Sequence, residues 1–188
     1  MIFEKVHIDG LLIVKPDVYE DQRGFFFELF NKFKYEEAGI KFDFVQDNIS
    51  KSVKNTIRGL HYQIGEFAQG KLCTVLKGRV LDVAVDIRYG SPTYGKYFSY
   101  ELDDVKKEQL WIPPGFAHGF SVLSDEAVFM YKCTARYSRE HERAILFNDS
   151  DLNIDWRINH PVVSDKDLKA KQFKDIEHDF IFKREGNQ

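Results

Sequence analysis

Leu72-Cys73-Thr74-Val75-Leu76-Lys77-Gly78-Arg79-Val80-Leu81-Asp82-Val83-Ala84-Val85-Asp86 is two runs of strand-forming residues joined at Lys77-Gly78. Apolar and β-branched side chains on both sides of a glycine read as a β-hairpin, because glycine accepts the backbone angles of a tight turn. The same rhythm extends outward. Residues 109–112 predict a strand that stops at Pro113-Pro114-Gly115, residues 118–123 predict the next, and Ser124-Asp125-Glu126 turns the chain into another over 128–137. Alternation with turn residues about every ten positions begins near residue 45. It predicts an all-β fold, an antiparallel β-barrel or jelly roll whose closure leaves no bare edge. Helical signals are confined to residues 32–38, stopped by Gly39, and to a short turn over 165–171, so any helices are few, short and peripheral. Nothing alternates strand with crossover helix as a parallel sheet requires.

The 188 residues fit one domain, 1–188, with a polar tail after about residue 182. Hydrophobic residues make up 43% and charged residues 30%, a globular balance, and the 17 Phe and 9 Tyr favour strands. A net charge of -3 and a pI near 6.1 exclude the broad basic face of a nucleic-acid binder and leave room for a small anionic ligand. Met1-Ile2-Phe3-Glu4-Lys5 lacks the build of a signal peptide, and no apolar run nears the roughly 18 residues of a membrane helix. The expectation is a soluble, cytoplasmic protein without a membrane partner. Cys73 and Cys133 lack paired spacing and are expected as buried, reduced thiols. Asp103-Asp104-Val105-Lys106-Lys107-Glu108 reads as a solvated loop. Asp82 and Asp86, sharing a face of the expected hairpin, read as structural and stand outside the candidate site.

Three segments put polar groups where a barrel interior is otherwise apolar: Gln46-Asp47-Asn48, Arg58-Gly59-Leu60-His61-Tyr62-Gln63, and Pro113-Pro114-Gly115-Phe116-Ala117-His118-Gly119-Phe120. The last contains P-x-G-x-x-H and resembles the second signature of cupin barrels. Metal-binding cupins add an H-x-H on an earlier strand, because alternate residues share a face and ligate one ion together. The matching place here is His61-Tyr62-Gln63, with one imidazole where two are needed, so no metal is assigned. Arg23, Arg58 and Lys71 fall in the same strand-rich half, and an interior holding several cations is costly unless an anion fills it. A diphosphate suits planar guanidinium forks.

The chain resembles the dTDP-4-dehydrorhamnose 3,5-epimerase family. The matching stretches include Asp21-Gln22-Arg23-Gly24-Phe25-Phe26-Phe27-Glu28, Phe44-Val45-Gln46-Asp47-Asn48, the segment from Arg58 to Gln63, Gln69-Gly70-Lys71-Leu72, Asp82-Val83-Ala84-Val85-Asp86-Ile87-Arg88, the segment through His118, Tyr131-Lys132, Asn148-Asp149 and Ser164-Asp165-Lys166-Asp167. The resemblance implies a homodimeric cupin-type jelly roll acting on a dTDP-linked 4-keto-6-deoxyhexose without a cofactor. It also implies His61 as general base, Asp167 as its supporting carboxylate and Tyr131 as the acid on the opposite face. Arg23, Glu28, Gln46, Asp47, Asn48, Arg58, Lys71, His118, Glu142 and Lys166 fall where the family contacts substrate. The chain departs from the family at Ala144 and Phe147, where glycine and tryptophan are usual, and after Asp167.

Those residue types suit the chemistry. A proton beside a ketone becomes removable once the charge reaching the carbonyl oxygen is stabilised, and a Lys71 ammonium in place is worth roughly 2.7–4 kcal/mol. Histidine suits the base because its unperturbed pKa is about 6.5, and positioned acid–base groups contribute on the order of 10²–10⁴-fold. Inversion needs a proton donor on the other face, and neither nicotinamide nor metal. The alternatives are a related epimerase inverting one carbon or using another nucleotide sugar, a silent nucleotide-sugar-binding cupin, and a metal-dependent cupin.

Overall fold

A computed structural model describes residues 1–183, so nearly all of the polar tail expected after residue 182 lies outside the described residues. The strands are β1 (Ile2–Lys5), β2 (Leu12–Lys15), β3 (Val18–Asp21), β4 (Gly24–Phe27), β5 (Gln46–Val53), β6 (Ile57–Gln63), β7 (Lys71–Lys77), β8 (Arg79–Asp86), β9 (Tyr97–Asp103), β10 (Gln109–Ile112), β11 (Phe116–Val122), β12 (Glu126–Cys133) and β13 (Glu142–Ala144). Two short helices, α1 (Lys32–Glu37) and α2 (Asp165–Leu168), match the two helical signals. Asn31 caps the first and Ser164 the second, each side-chain oxygen accepting a backbone N–H of the first turn.

The strands make a six-stranded sheet in the order β1-β2-β10-β7-β12-β5 and a five-stranded sheet in the order β13-β6-β11-β8-β9, with β3 and β4 as a separate hairpin. Every pairing among these strands is antiparallel. The inner faces meet in a core that includes Cys73, Val75, Val80, Ala84, Phe120, Val122, Ala127 and Phe129. This is the jelly-roll arrangement expected, and it explains why β8 and β11 read as nearly continuous apolar runs. Their outer faces are covered too: Leu81, Val83 and Val85 pack against Ile145, Phe147, Leu152 and Trp156 of the C-terminal segment. On the other sheet, Leu72 and Trp111 lie under Tyr35 of α1 and Ile40. Phe147, where the family usually has tryptophan, is core, and its carbonyl accepts the Trp156 Nε1–H at 2.8 Å.

The expected hairpin across Gly78 does not form. β7 pairs with β10 and β12, whereas β8 pairs with β11 and β9, so the turn carries the chain from one sheet to the other. A glycine turn fixes a reversal of direction but not the partner of each strand. The charged run 103–108 is also not wholly solvated. Lys107 and Glu108 are buried, Lys107 Nζ lying 3.6 Å from the Phe25 ring centroid and Glu108 accepting from the Tyr100 hydroxyl at 2.8 Å. Cys73 and Cys133 are free and buried, as expected. Among the described residues no helix is long and apolar enough to cross a membrane.

One close approach sets the geometry of the functional end. β6 and β11 pair His61 with His118 and, after a register shift, Arg58 with Phe120. At the shift Gly59 has φ +127, and a Cβ there would sit 2.5 Å from the Gly119 Cα. Gly59→Ala is therefore expected to lower unfolding free energy by about 2 kcal/mol or more, through backbone strain plus overpacking. Gly90 has φ +84 but open space around the Cβ position, so Gly90→Ala should cost less. Urea unfolding of both variants checks this; a larger loss for Gly90→Ala would contradict it.

Candidate active site

The sheets splay where β6, β7, β11 and β12 present polar residues to the interior. Along β7, Lys71, Cys73 and Val75 share the inward face, and along β12, Ala127, Phe129 and Tyr131 do. Phe120 and Phe129 stack at 4.3 Å between centroids and close the apolar end. Beyond them opens a cavity of about 740 Å³ whose lining includes Asn48, Arg58, His61, Lys71, His118, Tyr131, Lys166 and Asp167. His61 and His118 belong to the five-stranded sheet, while Lys71 and Tyr131 belong to the six-stranded one.

His61 Nε2 lies 2.6 Å from Asp167 Oδ1. α2 delivers the carboxylate, its first turn fixed by the Ser164 cap, and the Gly59 N–H donates to Asp167 Oδ2 at 3.4 Å. Burial by itself pushes Asp167 up, but the His61 hydrogen bond and charge and the Gly59 N–H outweigh it and hold the carboxyl below its ordinary range. An ionised Asp167 accepting from Nε2–H leaves Nδ1 as the lone-pair nitrogen, the one able to accept a proton. The imidazole is 30% exposed while its partner carboxylate is 4% exposed, so ligand reaches the ring and water is kept from the carboxylate.

Lys71 is buried, and its Nζ donates to the His61 carbonyl at 3.4 Å and lies 5.8 Å from the Tyr131 ring centroid. Burial pushes its ammonium below the ordinary lysine value, against opposing pulls led by Cys133, Cys73 and Asp82. Burial pushes Tyr131 up to about 12, which keeps the phenol protonated near neutral pH and fit to donate. The ring of His118 lies 6.3 Å from that of Tyr131. Burial lowers the His118 pKa more than Asp82 raises it, so the imidazole is neutral.

Of the residues expected at the site, the cavity thus gathers eight. Gln46 stands just behind it, donating to Asn48 Oδ1 at 3.0 Å and accepting the Tyr137 N–H at 2.8 Å. Glu142 is held at the rim by Lys166 and by the Tyr137 hydroxyl at 3.1 Å. Asp47 points to the other side of β5, where it binds Lys132 at 2.8 Å. Arg23 and Glu28 are not brought to this cavity. Arg23 binds Asp21 at 2.6 Å in the exposed β3–β4 hairpin, and Glu28 binds Lys34 at 2.7 Å. Gln63, two residues past His61, is buried and accepts the Ser138 N–H at 3.1 Å. It anchors a loop and presents no ligand pair with His61.

Asp82 was left out by the sequence reading and is wholly buried beside His118, its Oδ1 2.7 Å from His118 Nε2. Alternation with Val80 and Ala84, both inward, was the available signal.

For Asp167 the depressed pKa has a consequence for stability. The ionised form contributes stability fully present above the unfolded value of about 3.9 and lost as pH falls through the lower folded value. Asp167→Asn should therefore be less stable than the native chain at neutral pH, and the gap should close on acidification below about pH 4. Urea unfolding across that range measures it; a gap independent of pH would show that the carboxylate is not held charged.

A family model described as dTDP-4-dehydrorhamnose 3,5-epimerase matches residues 5–175. The dTDP-4-dehydrorhamnose 3,5-epimerase of Shigella flexneri is 53% identical over 175 residues, which is 93% of this chain and 97% of the relative. Among solved structures, the Legionella pneumophila dTDP-6-deoxy-D-glucose-3,5-epimerase in complex with dTDP-4-keto-L-rhamnose superposes with a TM-score of 0.94 at 48% identity, covering 97% of this chain and 99% of that one. The dTDP-4-dehydrorhamnose 3,5-epimerase of Elizabethkingia anophelis gives 0.89 at 50% identity, covering 93% and 97%.

Proposed function

Since the chain belongs to the dTDP-4-dehydrorhamnose 3,5-epimerase family, we propose that His61 is the base and Tyr131 the acid with which it converts dTDP-4-dehydro-6-deoxy-D-glucose into dTDP-4-dehydro-L-rhamnose. The protein is an isomerase acting on a dTDP-linked sugar. Both inverted carbons flank the same carbonyl, so one base, one oxyanion stabiliser and one donor serve twice. His61, held by Asp167, abstracts the proton; Lys71 stabilises the charge that moves to the carbonyl oxygen; Tyr131 returns a proton from the other face. The observation that carries this reading is the cavity itself, with His61 on one sheet, backed by Asp167 from α2, and Lys71 and Tyr131 on the other. A sugar ring lying between the sheets meets base and donor on opposite faces.

Arg58, Asn48, Lys166 and His118 are the substrate contacts in this reading, with Gln46 and Glu142 supporting from behind and at the rim. A homodimer belongs to it as well. β5 is an eight-residue edge strand with Ile49 and Val53 65% and 60% exposed, and the β3–β4 hairpin holds out Phe25 and Phe26, 58% and 71% exposed. A bare apolar edge and a projecting aromatic arm call for a second copy. That copy's arm is then the source of the Arg23 and Glu28 contacts that one chain alone does not bring to its cavity. A single domain over 1–188 and a cytoplasmic setting, suited to two free thiols, complete the proposal.

In deuterated water, substrate incubated with the protein should gain deuterium at both carbons with inversion. Label at one carbon only would mark a single-carbon epimerase, and none at either would sink the reading. His61→Asn should lose exchange and inversion together, by about 10³-fold or more, with substrate affinity much less affected. Tyr131→Phe removes only the donor, so the enolate still forms and takes its proton back from the original face. The ratio of exchange to inversion should rise in that variant; equal loss of both would make Tyr131 a packing or binding residue.

The dimer is tested by Phe26→Asp, a position outside the cavity lining, read by sedimentation. The variant should become monomeric and inactive. A native chain that sediments as a monomer and still turns over would refute the dimer.

A further inference from the structure

Cys73 from β7, Asp82 from β8 and His118 from β11 converge in the interior, 0%, 0% and 6% exposed, and His118 also lines the cavity. One donor atom of each lies within 4.8 Å of the other two. His118 Nε2 is 2.7 Å from Asp82 Oδ1 and 3.6 Å from Cys73 Sγ. Asp82 Oδ2 is buried and has no hydrogen-bond partner among the described residues. A carboxylate with one oxygen so placed is costly in an apolar interior, and a cation is the partner that removes the cost.

The separations match a particular ion class. Tetrahedral zinc, with sulfur at about 2.3 Å and nitrogen at about 2.0–2.1 Å, puts those two ligands about 3.6 Å apart. That is the Cys73–His118 distance already present. The nitrogen and a carboxylate oxygen would stand about 3.3 Å apart, so Asp82 withdraws by about 0.6 Å as the metal replaces the proton it shares with His118. A thiol, an imidazole and one carboxylate suit zinc or cobalt and not the all-oxygen shells of magnesium or calcium.

We propose that Cys73, Asp82 and His118 form a three-ligand site for a thiophilic divalent cation of the zinc class, entered through the cavity that His118 lines, with its fourth position open to that cavity. Binding displaces the Cys73 thiol proton to solvent and shifts the His118 proton from Nε2 to Nδ1. The ion is not needed for proton transfer. It ties up His118, a substrate contact in the proposed reading, and so it inhibits. The missing second histidine at Gln63 does not bear on this site, because its donors come from three strands other than β6.

Cobalt added to the chelator-treated protein should give a near-ultraviolet thiolate-to-cobalt charge-transfer band that saturates at one equivalent and is discharged by zinc. The band should vanish in Cys73→Val and persist in Cys133→Ser, the other buried thiol. Zinc affinity should fall at least about 100-fold in Cys73→Val, since even outer-shell changes cost about 10–100-fold. Zinc should slow turnover of the native protein and not of Cys73→Val, with Cys73→Ala as the substitute if the valine variant does not fold. No band in the native protein, a band that survives loss of Cys73, or equal zinc affinity or inhibition in both proteins would overturn the proposal. Band and affinity are read without substrate, so they fail or hold apart from the epimerase reading.

Discussion

The pairing of β6 with β11 across two glycines is the constraint on which the site depends. Only residues without a Cβ permit the two backbones to approach as they do at Gly59 and Gly119. That approach sets His61 directly beside His118 and turns the Gly59 N–H toward Asp167. His61 and His118 take their positions from it, α2 adds Asp167, and the facing sheet brings Lys71 and Tyr131.

Burial is what gives these groups their chemical character. Asp167 would be driven toward neutrality by desolvation, and the hydrogen bonds it receives reverse that tendency. Lys71 donates only to a neutral carbonyl and Tyr131 is opposed by Arg58 alone, so burial lowers the one and raises the other, leaving an ammonium with weakened hold on its proton and a phenol that keeps its own. Arg58 and Lys71 line the cavity without an ion-pair partner among the described residues, which leaves it electrostatically incomplete when alone. A dTDP-linked substrate brings the diphosphate charge that balances it.

The fold class was legible because two covered sheet faces leave a plain record: continuous apolar runs at β8 and β11, punctuated by glycine and proline turns. Strand partners were not legible, since the Gly78 turn reads the same whether the chain folds back beside itself or crosses to the facing sheet. Asn48, Arg58, His61, Lys71 and His118 stood out because polar side chains on an inward face are rare, whereas Tyr131, Lys166 and Asp167 came only from the resemblance. Asp82 sat in the same pattern but was set aside once the false hairpin gave it a structural purpose. Lys107 and Glu108 were misread because a charge run carries no sign that an aromatic ring and a tyrosine hydroxyl await it. Arg23 was read as an interior cation and Glu28 came from the resemblance alone, and the distance of both from the cavity within one chain is visible only in three dimensions.

The His61–Asp167 bond joins residues 106 positions apart in the chain. During synthesis at about 5–20 residues per second, roughly 5–20 s separate the appearance of the imidazole from that of the carboxylate. Through that interval β6 and its neighbours can assemble, yet the histidine has no acceptor to choose its tautomer. The pair is thus complete only once the C-terminal segment has been made and α2 has brought Asp167 to His61.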